Sequence, residues 1–568
     1  MRQFLYDCRR YFVYAGLFSL FINVLMLTFP IYMMQLYDRV ITSRSEETLI
    51  MLTIAALSAF FLHMMLEMLR GRLLLGAGIA LDGLAGPPVL SGVLGQAVRP
   101  GTNEYISGLR DVATVRSFLT GSGIFALFDS PWAPIYLGVI FLFHVALGVL
   151  ATFGAATLFL LAYINERVTR EPLRAMSRQT RQASYYIDSG MRNAEVISAL
   201  GMVDDLTRRW RRLNSAVIDA QVTAGRRGSV LSGLTRFVRL SLQIVMLGVG
   251  AFLVIRQHLT PGIMIAGTLI LSRALSPVES AIHTWKAFVD ARDAFRRLNE
   301  LLEKTPKAVD RVALPAPAGR LEVDHITFGI PGQDRLIIRN VSFGLDAGQS
   351  LGLVGPSAAG KSTLARLAIG IWRPTTGSVR LDGADVSTWP RDQLGPFIGY
   401  LPQDVELFLG TVGENIARLK QAPAEDVVRA AQRAHVHDMI VRLPQAYDTQ
   451  IGDAGANLSA GQRQRVALAR ALFGDPRFVV LDEPNSNLDS EGEEALVQAL
   501  RGLRSDGVTL IVISHRPSLL AGVDKLLVLK GGQVEIFGPR ADVLAKVTPR
   551  GGPGAGEPGP VAIAGRQS

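Results

Sequence analysis

Eight consecutive residues, Gly355-Pro356-Ser357-Ala358-Ala359-Gly360-Lys361-Ser362, set two glycines, a lysine and a hydroxyl at the spacing G-x-x-x-x-G-K-[ST]. That spacing suits a polyphosphate. The glycines let the backbone curl so that successive N–H groups point inward at an anion. Residues 363–368, beginning at Thr363, read as a helix whose N-terminus adds partial positive charge. Lys361 is placed to reach the β- and γ-phosphates, and the Ser362 hydroxyl to hold Mg²⁺. Residues 350–354 before the loop read as a short apolar strand. A glycine-rich turn with a chance lysine would not require strand, loop and helix in that order. The expectation is a nucleoside triphosphate site.

Further chemistry follows along the chain. Phe478-Val479-Val480-Leu481-Asp482-Glu483 is an apolar strand ending in two acids, the Walker B pattern. Asp482 is expected to bind Mg²⁺ directly or through water. Glu483 is placed to orient and deprotonate an attacking water. Gln403 follows Tyr400-Leu401-Pro402, His515 follows the strand 509–513, and Leu458-Ser459-Ala460-Gly461-Gln462 precedes a helix over 463–473. A lone Gln or His carries no weight, because such residues are usually structural. Five motifs in one order over residues 355–515 closely resemble the nucleotide-binding domain of ATP-binding-cassette proteins.

That resemblance assigns roles. It implies ATP as the nucleotide, with Mg²⁺. Gln403 becomes the Q-loop residue, touching Mg²⁺ and facing the membrane domain. His515 becomes the switch histidine that contacts the γ-phosphate. Residues 458–462 match the L-S-G-G-Q signature, with Ala460 in place of one glycine, and Ser486-Asn487-Leu488-Asp489 matches the D-loop, usually S-A-L-D. Ser459, Gly461, Gln462 and Asp489 therefore join the nucleotide-binding set. One departure concerns the base: Phe328-Gly329-Ile330-Pro331 puts Ile330 where many members carry an aromatic that stacks on adenine.

These residues need an α/β scaffold, and the second half supplies one. Residues 321–545 alternate as β-structure and then as strand–helix units. Residues 305–320, with Pro306, Pro315 and Pro317, read as a linker, and 546–568 as a disordered Gly/Pro-rich tail. At 568 residues two or more domains are expected. The chain is 49% hydrophobic, and the excess lies in residues 1–304. Apolar stretches at 12–32, 48–66, 126–144, 148–164, 231–255 and 263–282 are long enough for six crossings, the third and fourth marginally. Arg2, Arg9 and Arg10 place the N-terminus in the cytoplasm. Residues 38–47 then form a polar outer link. Residues 76–128 read as helix-compatible but too polar to span, 165–228 as long arginine-rich cytoplasmic helices, and 285–303 as an amphipathic helix. His144 falls at an outer turn and reads as an interfacial residue rather than a ligand. Arg273 falls about ten residues into the sixth span, where a charge costs at least ~2.5 kcal/mol. It is either a structural ion pair (or a snorkelling arginine) or a residue lining a translocation path.

The net charge of +10 would permit nucleic-acid binding, but much of the arginine flanks apolar spans, so no nucleic-acid partner is expected. A single cysteine, Cys8, excludes an intrachain disulfide and a cysteine-based metal site. Six spans with long inner helices resemble the exporter-type transmembrane domain of the same family. Residues 128–136 (Phe-Asp-Ser-Pro-Trp-Ala-Pro-Ile-Tyr), Met191-Arg192-Asn193-Ala194-Glu195-Val196-Ile197 and Asp482-Glu483-Pro484-Asn485-Ser486-Asn487-Leu488-Asp489 resemble the permease–ATPase subunits of bacterial type I secretion. The likeness is greatest to the protease- and lipase-exporting subgroup, since no cysteine-peptidase domain precedes the first span. It implies ATP-driven export of an unfolded polypeptide carrying an uncleaved C-terminal signal. It implies as partners a second copy of the chain as homodimer, a periplasmic adaptor and an outer-membrane duct, all at the bacterial inner membrane. An exporter of lipid or drug-like molecules shares the architecture and is the alternative.

Overall fold

The computed structural model describes residues 1–98, 107–305, 314–331, 335–452 and 455–547. Two compact units divide near residue 307. Half of the linker read at 305–320, residues 306–313, lies outside the described residues, as does the tail from 548 onward. Residues 546 and 547, counted with that tail, instead close the helix Arg540–Val547.

The first unit is helical. Among the described residues six helical segments are long and apolar enough to cross a membrane. In chain order with their companions these are α1 (Arg9–Ser43), α2 (Glu46–Ala97), the non-spanning α3 (Gly108–Thr120), α4 (Gly123–Phe143), α5 (Val145–Met191), α6 (Val203–Ile255) and α7 (Pro261–His283). The amphipathic α8 (Trp285–Lys304) follows. The chain is an integral membrane protein. The spans run past the boundaries read from the sequence, because a drop in hydropathy marks where a helix leaves the bilayer, not where its hydrogen bonding stops. Residues 38–47 are thus not a polar link. They are helical through Ser43, including a π-helical turn over Leu36–Val40, and the reversal is made by Arg44, left-handed at φ 54°, and Ser45. Asp38 within that turn accepts from the Thr260 hydroxyl at 2.6 Å and the Gly262 N–H at 2.8 Å, fastening α1 to the start of α7. His144 is the break between α4 and α5, and its Nδ1 accepts from the Ala146 N–H at 3.1 Å.

Charges inside this unit are neutralised where they are buried. Arg70, 4% exposed, reaches Asp129 at 3.2 Å, and Ser19 and Asn23 donate to the same carboxylate at 3.0 and 2.9 Å. Arg297 on α8 binds Asp111 on α3 through two parallel bonds of 2.8 and 2.6 Å. Arg273 differs. It is exposed on α7, whose Ile270, Leu271, Ala274 and Leu275 are buried in the helical core, and among the described residues it makes no ion pair.

The second unit is α/β. Strands β1 (Leu321–Gly329) and β2 (Leu336–Leu345) precede β3 (Ser350–Val354), and β4 (Thr376–Leu381), β5 (Ala384–Asp385) and β6 (Ile398–Leu401) follow. Two short strands, β7 (Gly410–Thr411) and β8 (Gln450–Ile451), pair with each other; then come β9 (Phe478–Asp482), β10 (Thr509–Ile513), β11 (Lys525–Lys530) and β12 (Gln533–Pro539). The antiparallel sheet runs β2-β1-β4-β5 and the main sheet β12-β11-β3-β10-β9-β6. In the main sheet β11, β3, β10, β9 and β6 are parallel. Every residue of β9 and β10 is buried, as expected for parallel strands covered on both faces. That parallel block decides where chemistry can be placed: the carboxyl ends of its strands open on one edge.

Candidate active site

Four of the predicted groups leave neighbouring carboxyl ends of the parallel strands. The phosphate loop follows β3, Asp482 ends β9, His515 stands two residues beyond β10, and Gln403 two beyond β6. Register holds them side by side: Ile513 pairs with Leu353 on one flank and Asp482 on the other, and Leu401 pairs with Leu481.

The loop closes on glycines for steric reasons. A Cβ at Gly355 would stand 2.1 Å from the Leu529 carbonyl oxygen, and Gly360 adopts φ 100° with Ile338 2.8 Å from where its Cβ would be. Ala358 is also left-handed, at φ 61°. The helix after the loop is α9 (Lys361–Ala368), two residues longer at its start than read from the sequence. Its first intrahelical bond runs from the Leu364 N–H to the Gly360 carbonyl, so the N–H groups of Lys361, Ser362 and Thr363 have no intrahelical acceptor. Lys361 is 7% exposed, and its ammonium donates to the carbonyls of Gly355 at 2.7 Å and Pro356 at 3.1 Å. The charge is thereby drawn into the loop.

Asp482 is 1% exposed, and neither carboxylate oxygen has a hydrogen-bond partner. Burial pushes its carboxyl above the usual range; the nearby Ser362 hydroxyl opposes this, the charge of Glu483 adds to it, and Arg366 and Lys361 oppose it. A buried anion with two free oxygens beside a hydroxyl is a fitting place for a hard dication. Among the described residues no group of three or more His, Cys, Asp or Glu could hold a metal alone. The donor set therefore suits Mg²⁺ bound partly by protein and partly by phosphate, the usual arrangement for this ion.

Glu483 is half-buried and held at φ 48°, a sparsely populated backbone region for a non-glycine residue. Its N–H donates to the Ile513 carbonyl at 3.0 Å. Its carboxylate accepts from Gln403 Nε2 at 3.0 Å, so Gln403 reaches the predicted base, a contact the sequence reading did not anticipate. His515 is exposed at the mouth of the same edge.

The signature segment forms a separate feature. Its helix, α10 (Ala460–Leu472), begins three residues earlier than read, because Ser459 caps it: the Gln462 N–H donates to Ser459 Oγ at 3.2 Å and the Ser459 N–H to Gln462 Oε1 at 2.9 Å. Ser459 is exposed, and Gly461 is required by the chain itself, since its Cβ would stand 2.9 Å from the Asn487 carbonyl. No hydrogen bond or ion pair among the described residues joins 355–363 to 459–462. Asp489 caps the next helix, α11 (Ser490–Ser505), accepting from the Gly492 N–H at 2.8 Å and from Arg465 at 2.6 Å. Those two partners hold its carboxyl below the usual range. Asp489 thus positions the D-loop backbone.

One residue was missed. Gln464, 1% exposed, donates to the Glu483 carbonyl at 3.2 Å and to Ser486 Oγ at 3.4 Å, and accepts from the Asn487 N–H at 3.0 Å. It ties the signature helix to the backbone of the predicted base. The available signal was an amide on the otherwise apolar stripe of Ala467, Leu468 and Ala471. For the base, Ile330 follows the end of β1, while Phe328 is 5% exposed and stacks on Trp372 at 5.2 Å and 16°.

Comparison with known proteins gives the family. The family described as "ABC transporter" matches residues 338–486, and "ABC transporter transmembrane region" matches residues 104–278. The chain is 45% identical to the type I secretion system ATP-binding protein PrsD of Rhizobium meliloti (strain 1021), covering 95% of this chain and 93% of that one. It is 30% identical to the cyclolysin secretion/processing ATP-binding protein CyaB of Bordetella pertussis, over 93% and 75%. A solved bacterial Atm1-family ABC exporter with ATP bound superposes with a TM-score of 0.82 at 26% identity, over 95% of this chain and 97% of that one.

Proposed function

The chain belongs to the ATP-binding-cassette exporters of type I secretion, ATPases that drive polypeptide export, and from that premise we propose how its own residues divide the work. Lys361 and the N–H groups of residues 361–363 receive the β- and γ-phosphates of ATP, whose developing charge they stabilise. Ser362 and Asp482, with Gln403 at the margin, would hold Mg²⁺, which when bound adds positive charge to the transferring phosphoryl group. Glu483 accepts a proton from the attacking water, and the Gln403 amide fixes the carboxylate's direction. His515, at the open edge, contacts the γ-phosphate.

The working unit is a homodimer. Ser459, Gly461 and Gln462 of one copy face the phosphate loop of the other, and closure over two ATP molecules biases the membrane half toward release. The exported chain is an unfolded polypeptide with a C-terminal signal, passed to a periplasmic adaptor and an outer-membrane duct. The chain lies in the bacterial inner membrane with its arginine-rich segments on the cytoplasmic side, the orientation that the positive-inside bias favours. What carries the reading is the 45% identity to a secretion ATPase over 95% of this chain; the predicted groups at neighbouring strand ends and, among the described residues, six apolar spans support it.

Co-expression of a Lys361→Ala chain with a Ser459→Arg chain tests the composite site. Mixed dimers keep one site with both halves intact and are expected to hydrolyse ATP, while each variant alone does not. Mixed dimers as inactive as either parent would sink independent composite sites.

A further inference from the structure

Two adjoining cavities of about 260 and 360 Å³ lie in the membrane unit, away from the nucleotide site, and share Ser229, Ser232, Ile282 and His283. Their depth follows from helix geometry. His283 is about 33 Å along α7 from Pro261, and Ser232 about 35 Å along α6 from Ile255, at 1.5 Å per residue. A hydrocarbon core of about 30 Å sets both residues at headgroup level. The side is the one on which α7 ends and α8 begins.

The chemistry of the walls is one-sided. Arg236, Arg239 and Lys286 line the cavities against one carboxylate, Glu279. Arg239 Nε is held 2.6 Å from Glu279 Oε1, so that carboxylate is already engaged, and among the described residues Arg236 and Lys286 make no ion pair. The indole N–H of Trp285, which lines the first cavity, is buried without an acceptor. The unmatched indole N–H is a donor and the two unpaired side chains are cations, so a ligand that satisfies them must bring acceptor oxygens and suits negative charge. Beside Arg236 on α6, Leu234, Phe237 and Leu240 are 44, 66 and 46% exposed, an apolar flank at the same depth.

We propose that these cavities bind the headgroup of an anionic phospholipid. Its phosphodiester would lie among Arg236, Arg239 and Trp285, with its acyl chains along the apolar flank of α6. The inference does not depend on what the protein exports.

Binding of phosphatidylglycerol and phosphatidylcholine to the detergent-solubilised full-length protein, counted by native mass spectrometry, tests it. Phosphatidylglycerol should be retained over phosphatidylcholine. Arg236→Gln and, independently, the exposed Lys286→Gln should each weaken it about fivefold, the effect of one basic residue near a membrane surface. Lys286→Gln keeps the test open if Arg236→Gln does not fold. Equal retention of the two lipids would overturn the proposal, and so would unchanged binding in both variants. Competition by inorganic phosphate at the lipid's own concentration would assign the site to a free anion, and displacement by an unfolded polypeptide to the exported chain; either result also overturns it.

Discussion

Replacing Gln464 by leucine separates positioning from chemistry at the hydrolysis edge. Leucine nearly matches the volume but removes the 3.2 Å bond to the Glu483 carbonyl and the 3.0 Å bond from the Asn487 N–H. Two hydrogen bonds at about 1 to 1.5 kcal/mol each give a loss of about 2–3 kcal/mol. For a unit of this size that is a fall of about 4–12 °C in unfolding midpoint, at ~2–4 °C per kcal/mol. The same change frees the backbone of Glu483, which stays at φ 48° only while its surroundings hold it. Turnover should drop about 10- to 100-fold through misplacement of the base, with KM for ATP little changed, because Gln464 touches none of the phosphate-loop residues. Thermal unfolding and steady-state ATPase on the solubilised full-length protein measure both. An unchanged midpoint with unchanged kcat would refute the positioning role, and a raised KM with kcat intact would move Gln464 to binding.

Asp482→Asn should raise the unfolding midpoint of the nucleotide-free protein at neutral pH while abolishing Mg²⁺-dependent hydrolysis. Burial lifts this carboxyl above its ordinary range, so ionising it costs stability as pH rises through that range. The gain over wild type should therefore shrink as pH falls and the native carboxyl takes up its proton; a gap that widens in acid would reverse the sign and the reasoning. Arg273→Ala, at an exposed unpaired position on α7, should leave assembly and basal ATPase intact while export falls, as a path-lining residue requires. Unchanged export would end that role, and loss of folded protein would restore a structural one.

Much of the hydrolysis edge was legible because its strands are buried on both faces and write themselves as unbroken apolar runs, with Asp482 and Glu483 the first polar residues after one of them. The phosphate loop was legible because its glycines answer steric demands, the Leu529 carbonyl at Gly355 among them. Spans were legible as apolar mass, yet their ends were not: α2 continues to Ala97 past Glu67, Arg70 and Arg72 and through Pro87 and Pro88, because helical hydrogen bonding does not stop where hydropathy falls. The polar stretch after residue 37 resembled a loop for the same reason, and Asp38 proved to be an anchor for α7 instead. Gln464 escaped notice because its partners come from another segment, and no local pattern announces a hydrogen bond made across the fold. The Gln403–Glu483 contact is of the same kind.

Hydrolysis at Glu483 is proposed to drive polypeptide export. A strain lacking the chain is complemented with wild type or with Glu483→Gln, and the proteins in the medium are quantified by mass spectrometry beside the purified ATPase rate. Wild type should restore one or more secreted polypeptides. Glu483→Gln should insert, bind ATP, lose about 10²-fold or more in hydrolysis and restore none of them. Export by Glu483→Gln at the wild-type level, or a medium unchanged when the chain is removed, would contradict the account.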